Sequence, residues 1–153
     1  MLNTTENVEV LHDKEEEMSR FLIPFETALE LSARDEDEPR LLGLQQLHEM
    51  AEQTAKIREH CRQGAQTLDT APFLFADNKE WARLRKSYAQ LERASFEFRR
   101  ELVFATTLST EILVARGRRL IALLREHIGY EGELLKRIEA IPLSGPAPLG
   151  IKE

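Results

Sequence analysis

NKEWARLRKSYAQLERASFEFRRELVFATTLSTEILVARGRRLIALLREHI, residues 78–128, is the stretch on which the fold turns. Its apolar or small residues run Trp81, Leu84, Tyr88, Leu91, Ser95, Phe98, Leu102, Ala105, Leu108, Ile112, Ala115, Leu120, Leu124 and Ile128. They step mostly by three or four, the spacing of one buried helical stripe. Between Lys79 and Arg116 there is no Gly, Pro, Asn or Asp. Thr106, Thr107, Ser109 and Thr110 are the only weak point, and they lower helix propensity only slightly. The pattern therefore predicts one continuous helix of roughly 75 Å at ~1.5 Å per residue, longer than a compact domain of this size can hold. Part of it must project or meet a partner. The alternative is a break near Thr107, which would give an ordinary four-helix bundle.

Upstream, Leu11, Met18, Phe21, Leu22, Phe25, Ala28 and Leu29 carry the same period over residues 5–32, with Pro24 inside, where a kink or break is expected. A charged turn, residues 34–38, leads to a second helix, with Asp37 as candidate cap and Pro39 in its first turn. That helix extends to about Thr67 and is thin in large side chains. Phe73, Leu74 and Phe75 form an apolar plug expected to seal one end of the bundle. Asp77 and Glu80 then make a capping-box arrangement before Trp81. After Ile128, Gly129 and Gly132 suggest a bend. The prolines and glycines of residues 142–153 read as a flexible tail. The expected organisation is one all-α domain over residues 1–141, an antiparallel helical hairpin packed on one long C-terminal helix, followed by that tail.

Composition fits this class. At 153 residues with 42% hydrophobic and 31% charged content, the chain has the make-up of a single helical domain. A lone Cys61 cannot form an internal disulfide, and no basic-then-apolar leader precedes the acidic start, so a cytoplasmic location is expected. No apolar run approaches the roughly 18 residues a membrane span needs. The net charge of −6 is uneven: residues 1–70 sum to −9 and residues 71–153 to +3. The two halves can fold back with complementary faces, or both charge sets can be solvated helix surface.

Catalytic and metal chemistry find little support in the pattern. Glu9-x-x-His12 has the spacing of a di-iron bundle motif, but such sites need two of these motifs and two further glutamates. His48 with Glu52, and His127 with Glu131, stand four apart, and neither pair has a second His at ligand spacing. His60 adjoins Cys61, yet consecutive helical residues diverge by about 100° and make no nucleophile–base pair. No Gly-rich phosphate loop or strand-to-helix elbow is present. No catalytic residue, metal site, cofactor or small-molecule substrate is expected. Arg116, Arg118 and Arg119 form a basic cluster without local acids, but the chain is acidic with a pI near 5.4, which argues against a nucleic-acid footprint.

The informative surface is apolar. Ile112, Leu113, Val114, Leu120, Ile121, Leu123, Leu124 and Ile128 spread over more than one side of a helix. Two companion helices cover a single stripe, so the remainder should be exposed for a protein client or a second copy of the chain.

The turn ARDEDEPRLL, residues 33–42, and the mixed polar and leucine-rich turns of residues 102–124 resemble the FlgN-type flagellar export chaperones, small acidic helical proteins with a hairpin and one long C-terminal helix. The resemblance implies a non-catalytic export chaperone holding flagellar hook-associated clients on the late helix. Ile112, Leu113, Leu120, Leu123, Leu124 and Ile128 are the residues it would carry over as the partner-binding face. The other reading is a self-assembling structural bundle using the same face.

Overall fold

The computed structural model describes residues 4–70, 78–104 and 110–139, and within these the side chains of 4–12, 14–15, 67–70, 78, 81, 135 and 137–139 lie outside the description. The described residues form five helices and no strand: α1 (Thr4–Ser32), α2 (Asp37–Glu49), α3 (Ala51–Thr70), α4 (Asn78–Phe104) and α5 (Glu111–Glu139). The protein is all-α. The plug at Phe73 to Phe75, the Asp77 cap, the Thr106–Thr107 segment and the tail lie outside the described residues.

Two helices stand where the pattern predicts one. Glu97 on α4 is bonded to Arg116 on α5, Ser87 to His127, and the Glu80 carbonyl to Tyr130, a descending register that makes α4 and α5 antiparallel neighbours. The single projecting rod is thus replaced by a fold-back, which corrects the hairpin-plus-rod expectation in favour of the four-helix arrangement. The reason is tertiary. A straight rod would leave the stripe of α5 in water, and folding back buries Leu113, Leu120, Leu124 and Leu134 at the cost of a few residues of weak helix former.

α2 and α3 behave as one helix interrupted at Met50, whose backbone sits at φ −89°, ψ 1° and still donates to the Gln46 and Leu47 carbonyls. The four resulting columns close a square in which α1 lies beside α2/α3 and α5, and α4 lies beside α3 and α5. Phe25 of α1 and Phe98 of α4 meet edge-to-face across the diagonal, ring centroids 5.1 Å apart, and Phe21 stacks on Phe25. Each helix contributes a stripe with alternating steps of three and four: Met18, Leu22, Phe25, Leu29 and Ser32 on α1; Thr54, Ile57, Cys61 and Gly64 on α3; Leu84, Tyr88, Leu91, Ser95, Phe98 and Leu102 on α4. The stripe of α5 is Leu113, Gly117, Leu120, Leu124, His127, Glu131 and Leu134. This is the heptad spacing of bundle packing.

Several local expectations change. α1 runs through Pro24 without a break; Pro24 and Arg20, whose carbonyl loses its donor, are both exposed, so water can serve that carbonyl. Asp37 is the first residue of α2 and Glu36 its cap, with no side-chain capping bond; Asp37 instead pairs with Arg40 at 2.6 Å. Gly129 and Gly132 do not interrupt α5. The charge asymmetry between the halves resolves in part into ion pairs between α1 and α5, Arg125 with Glu26 and Arg118 with Glu30. The bidentate Arg125 bond holds the Glu26 carboxyl below its ordinary range.

Close approach at the α1–α2 hairpin depends on Gly43. A Cβ there would sit 2.5 Å from the Ser32 nitrogen and 2.8 Å from the Ala28 carbonyl, both backbone atoms that cannot give way. At Gly129, by contrast, an added Cβ would meet nothing within 4 Å. Gly43→Ala should therefore destabilise the protein by ~1–3 kcal/mol, while Gly129→Ala should stabilise it by up to ~1 kcal/mol through helix propensity. Urea denaturation of the two variants checks the opposite signs.

Candidate functional site

The residues expected to form an exposed partner-binding face divide sharply. Leu113, Leu120 and Leu124 are core residues, the last two fully buried, and Leu123 and Ile128 are half-buried against the same core. Ile112 alone of the six stays exposed, at 60%. The surplus apolar face therefore does not exist in the form expected. Its premise is a rod with two companions, whereas α5 occupies a slot between α1 and α4 that takes up a wide stripe. Arg116 and Arg118 pair with Glu97 and Glu30 of neighbouring helices at the bundle surface.

Ile23 on α1 and Phe96 on α4 are exposed singly along their helices, and the other exposed large apolar side chains gather at one end of the bundle. Val103 and Phe104 close α4 with 74% and 73% of their surface exposed, and Ile112 opens α5. The Thr110 hydroxyl donates to the Ser32 carbonyl at 2.7 Å, which sets this end beside the α1–α2 turn. Leu41 and Leu42, in the early part of α2, are exposed there too.

Deeper in the bundle, toward the opposite end, lies a polar cluster that the sequence pattern does not assemble. His127 and Glu131 occupy core positions of the α5 stripe, His60 enters from α3, and Ser87 and Tyr88 enter from α4. His60 Nε2 lies 3.1 Å from Glu131 Oε1, His127 Nε2 lies 3.3 Å from Glu131 Oε2, and the two Nε2 atoms are 3.4 Å apart. The Tyr88 hydroxyl donates to Glu131 Oε2. Ser87 Oγ is 2.7 Å from His127 Nδ1. Both histidines and the glutamate are essentially without solvent exposure. Gly64 makes the room: a Cβ at that position would strike the Tyr88 ring.

Burial by itself would raise the pKa of Glu131, but hydrogen bonds from His127 and His60, with their charge, outweigh it and hold the carboxyl well below its ordinary range. The group is a carboxylate accepting from several donors. His60 Nδ1 is buried with no hydrogen-bond partner. A groove of about 410 Å³ between α1 and α2/α3, lined by Met18, Phe21, Pro24, Met50 and Ile57 among others, has His60 in its wall. Cys61 beside it is buried, and burial first, then the charges of Glu92 and Glu131, push its thiol pKa up, so it is a poor nucleophile.

Two imidazole nitrogens and a carboxylate whose donor atoms converge are a cation-binding set, and they are equally a closed hydrogen-bond network. Two of the three carry a signal in the sequence. Counting the alternating steps of α5 onward from Leu120 and Leu124 places His127 and Glu131 inward rather than on the surface. That His60 meets them depends on the α3–α4–α5 packing, which no local pattern specifies. His48 is exposed, and the Glu9 and His12 side chains lie outside the described residues.

Leu120→Ala should cost ~2–5 kcal/mol as a core truncation, whereas Ile112→Ser should change stability by no more than ~0.5 kcal/mol; thermal unfolding separates the two. The depressed pKa of Glu131 gives a second test. Its contribution is complete above the unfolded carboxyl value near 4.5 and is lost as pH falls toward the lower folded value. In the presence of a chelator, the stability gap between the native chain and Glu131→Gln should therefore narrow as pH drops below that value, read from denaturant midpoints across pH.

Comparison with protein-family models, with curated proteins and with solved structures finds no match to this chain.

Proposed function

We propose that this protein is a non-catalytic helical binding module, an adaptor or chaperone that holds an apolar segment of a partner protein at the end of the bundle formed by the last turn of α4 and the first turn of α5. The carrying observation is the exposure of Val103, Phe104 and Ile112, three large apolar side chains at one end, where a fold without a partner would place polar residues. Leu41 and Leu42 widen that end. The reading keeps the partner-binding role anticipated for Ile112 and moves the rest of the surface away from Leu113, Leu120 and Leu124, whose side chains are committed to the core.

Other features accord with a binding role. No helix among the described residues is long and apolar enough to cross a membrane. The buried Cys61 thiol offers no activated nucleophile. The resemblance of residues 33–42 and 102–124 to FlgN-type chaperones suggests a flagellar hook-associated client and a cytoplasmic site of action as the finer form of the proposal.

Phe104→Glu combined with Ile112→Glu tests it, because both positions are exposed and the variant should fold with native helicity. A protein recovered with the native chain, purified and titrated back, should bind the double variant at least about tenfold more weakly, as expected where two central apolar contacts are lost. Equal affinity would overturn the assignment. Concentration-dependent self-association by light scattering that the double variant abolishes would assign the end to a second copy instead.

A further inference from the structure

The geometry points to a divalent transition-metal site formed by His60, His127 and Glu131, with Zn²⁺ as the fitting test ion. At metal–ligand distances of about 2.0–2.1 Å a tetrahedral centre spaces its donor atoms about 3.3 Å apart. Here the two Nε2 atoms are 3.4 Å apart, and each has a Glu131 oxygen beside it, Oε1 at 3.1 Å from His60 and Oε2 at 3.3 Å from His127. The nitrogen pair stands at the length of such an edge, and a carboxylate oxygen completes the set, the three donor atoms lying within 4.8 Å of one another.

The chemistry of the donors agrees with the spacing. Imidazole with one carboxylate suits Zn²⁺ and its first-row neighbours, and two nitrogen donors disfavour Mg²⁺ and Ca²⁺, which take oxygen. Hydrogen bonding alone asks both Nε2 atoms to direct protons at one carboxylate while lying 3.4 Å from each other. A cation lets both present lone pairs to a common centre. His127 then carries its proton on Nδ1 and donates it to Ser87 Oγ at 2.7 Å, the outer-shell contact that orients a ligating imidazole. The Tyr88 hydroxyl fixes the Glu131 carboxylate from the other side. Three protein donors leave the remaining position to water, and the groove between α1 and α3 that reaches His60 supplies a way in.

The rest of the fold makes the set rigid. His127 and Glu131 are one helical turn apart on α5, between the core residues Leu124 and Leu134. His60 stands between Ile57 and Gly64 on α3, and Tyr88 fills the space that Gly64 leaves. All three ligands are presented by helices rather than loops, which holds a binding geometry more tightly.

The test uses the untagged full-length chain, freed of metal with a chelator and titrated with Zn²⁺, and with Co²⁺ as a spectroscopic probe of coordination. One equivalent of Zn²⁺ should bind and raise the melting temperature, and Co²⁺ should give the intense visible bands of a tetrahedral nitrogen–oxygen site. His127→Gln and Glu131→Gln should abolish that equivalent. Ser87→Ala, which leaves all three ligands in place, should weaken Zn²⁺ binding roughly 10–100-fold. It also keeps the inference testable if a ligand variant fails to fold. No Zn²⁺ uptake by the folded chain would overturn the site and leave a hydrogen-bonded network. Uptake with affinity unchanged in Ser87→Ala and in whichever ligand variant folds would also overturn it, as binding by surface groups such as His48.

Discussion

α5 is bound on two sides at once, by α1 through Leu29 against Gly117 and Glu26 against Arg125 and by α4 through Tyr88 against Glu131 and Ser87 against His127, and this double burial is the constraint from which the bundle follows. Gly117 shows how close the approach is, since a Cβ there would run into the Leu29 side chain. With α5 held this way, α4 must reverse direction before Glu111. The acidic face of α1 meets the arginines of α5. Transferring large side chains such as Leu120 and Leu124 out of water contributes about 1.5–3 kcal/mol each. Leaving such a stripe in water would forfeit that contribution.

That balance also explains what is legible in the sequence. The stripes of α1 and α4 can be read from spacing alone, because Met18 to Ser32 and Leu84 to Leu102 keep the heptad steps without a polar intrusion apart from Ser32 and Ser95. Those two serines are not faults: Ser32 bonds its own helix at the Ala28 carbonyl, and Ser95 donates to the Thr54 carbonyl of α3. The reversal between α4 and α5 is not legible in the same way. Residues 105–110 contain no helix breaker, and the antiparallel placement of α4 and α5 is decided by what α5 gains from packing, a term that local propensity does not contain. On a continuous rod the leucines of α5 have too few neighbours and look like a binding surface. The error in Leu113, Leu120 and Leu124 is thus inherited from the error at the turn.

The two ends of the bundle differ in kind. Where α4 passes into α5, apolar side chains face outward: Val103, Phe104 and Ile112. Around His60, Tyr88, His127 and Glu131, polar side chains face inward. A bundle selected for stability alone would have the reverse at both places, since replacing a buried ionic cluster by well-packed apolar residues is often neutral or stabilising. Surface apolar groups and buried ionisable groups both cost a protein something, and here they stand apart along the same four columns.

The buried cluster also acts on register. A leucine stripe tolerates sliding by a heptad, because one leucine layer resembles the next, whereas His60, Tyr88 and Glu131 satisfy one another only when α3, α4 and α5 are aligned as they are. A shift of α5 by one heptad that carries Glu131 to the place of Leu124 would leave its carboxylate buried without its donors, a loss that outweighs the small difference between leucine layers. The same alignment sets where α5 begins, and therefore which residues reach the apolar end. The cluster and the exposed end are linked through the length of one helix: fixing Glu131 against His60 fixes Ile112 at the apolar rim, about five turns away.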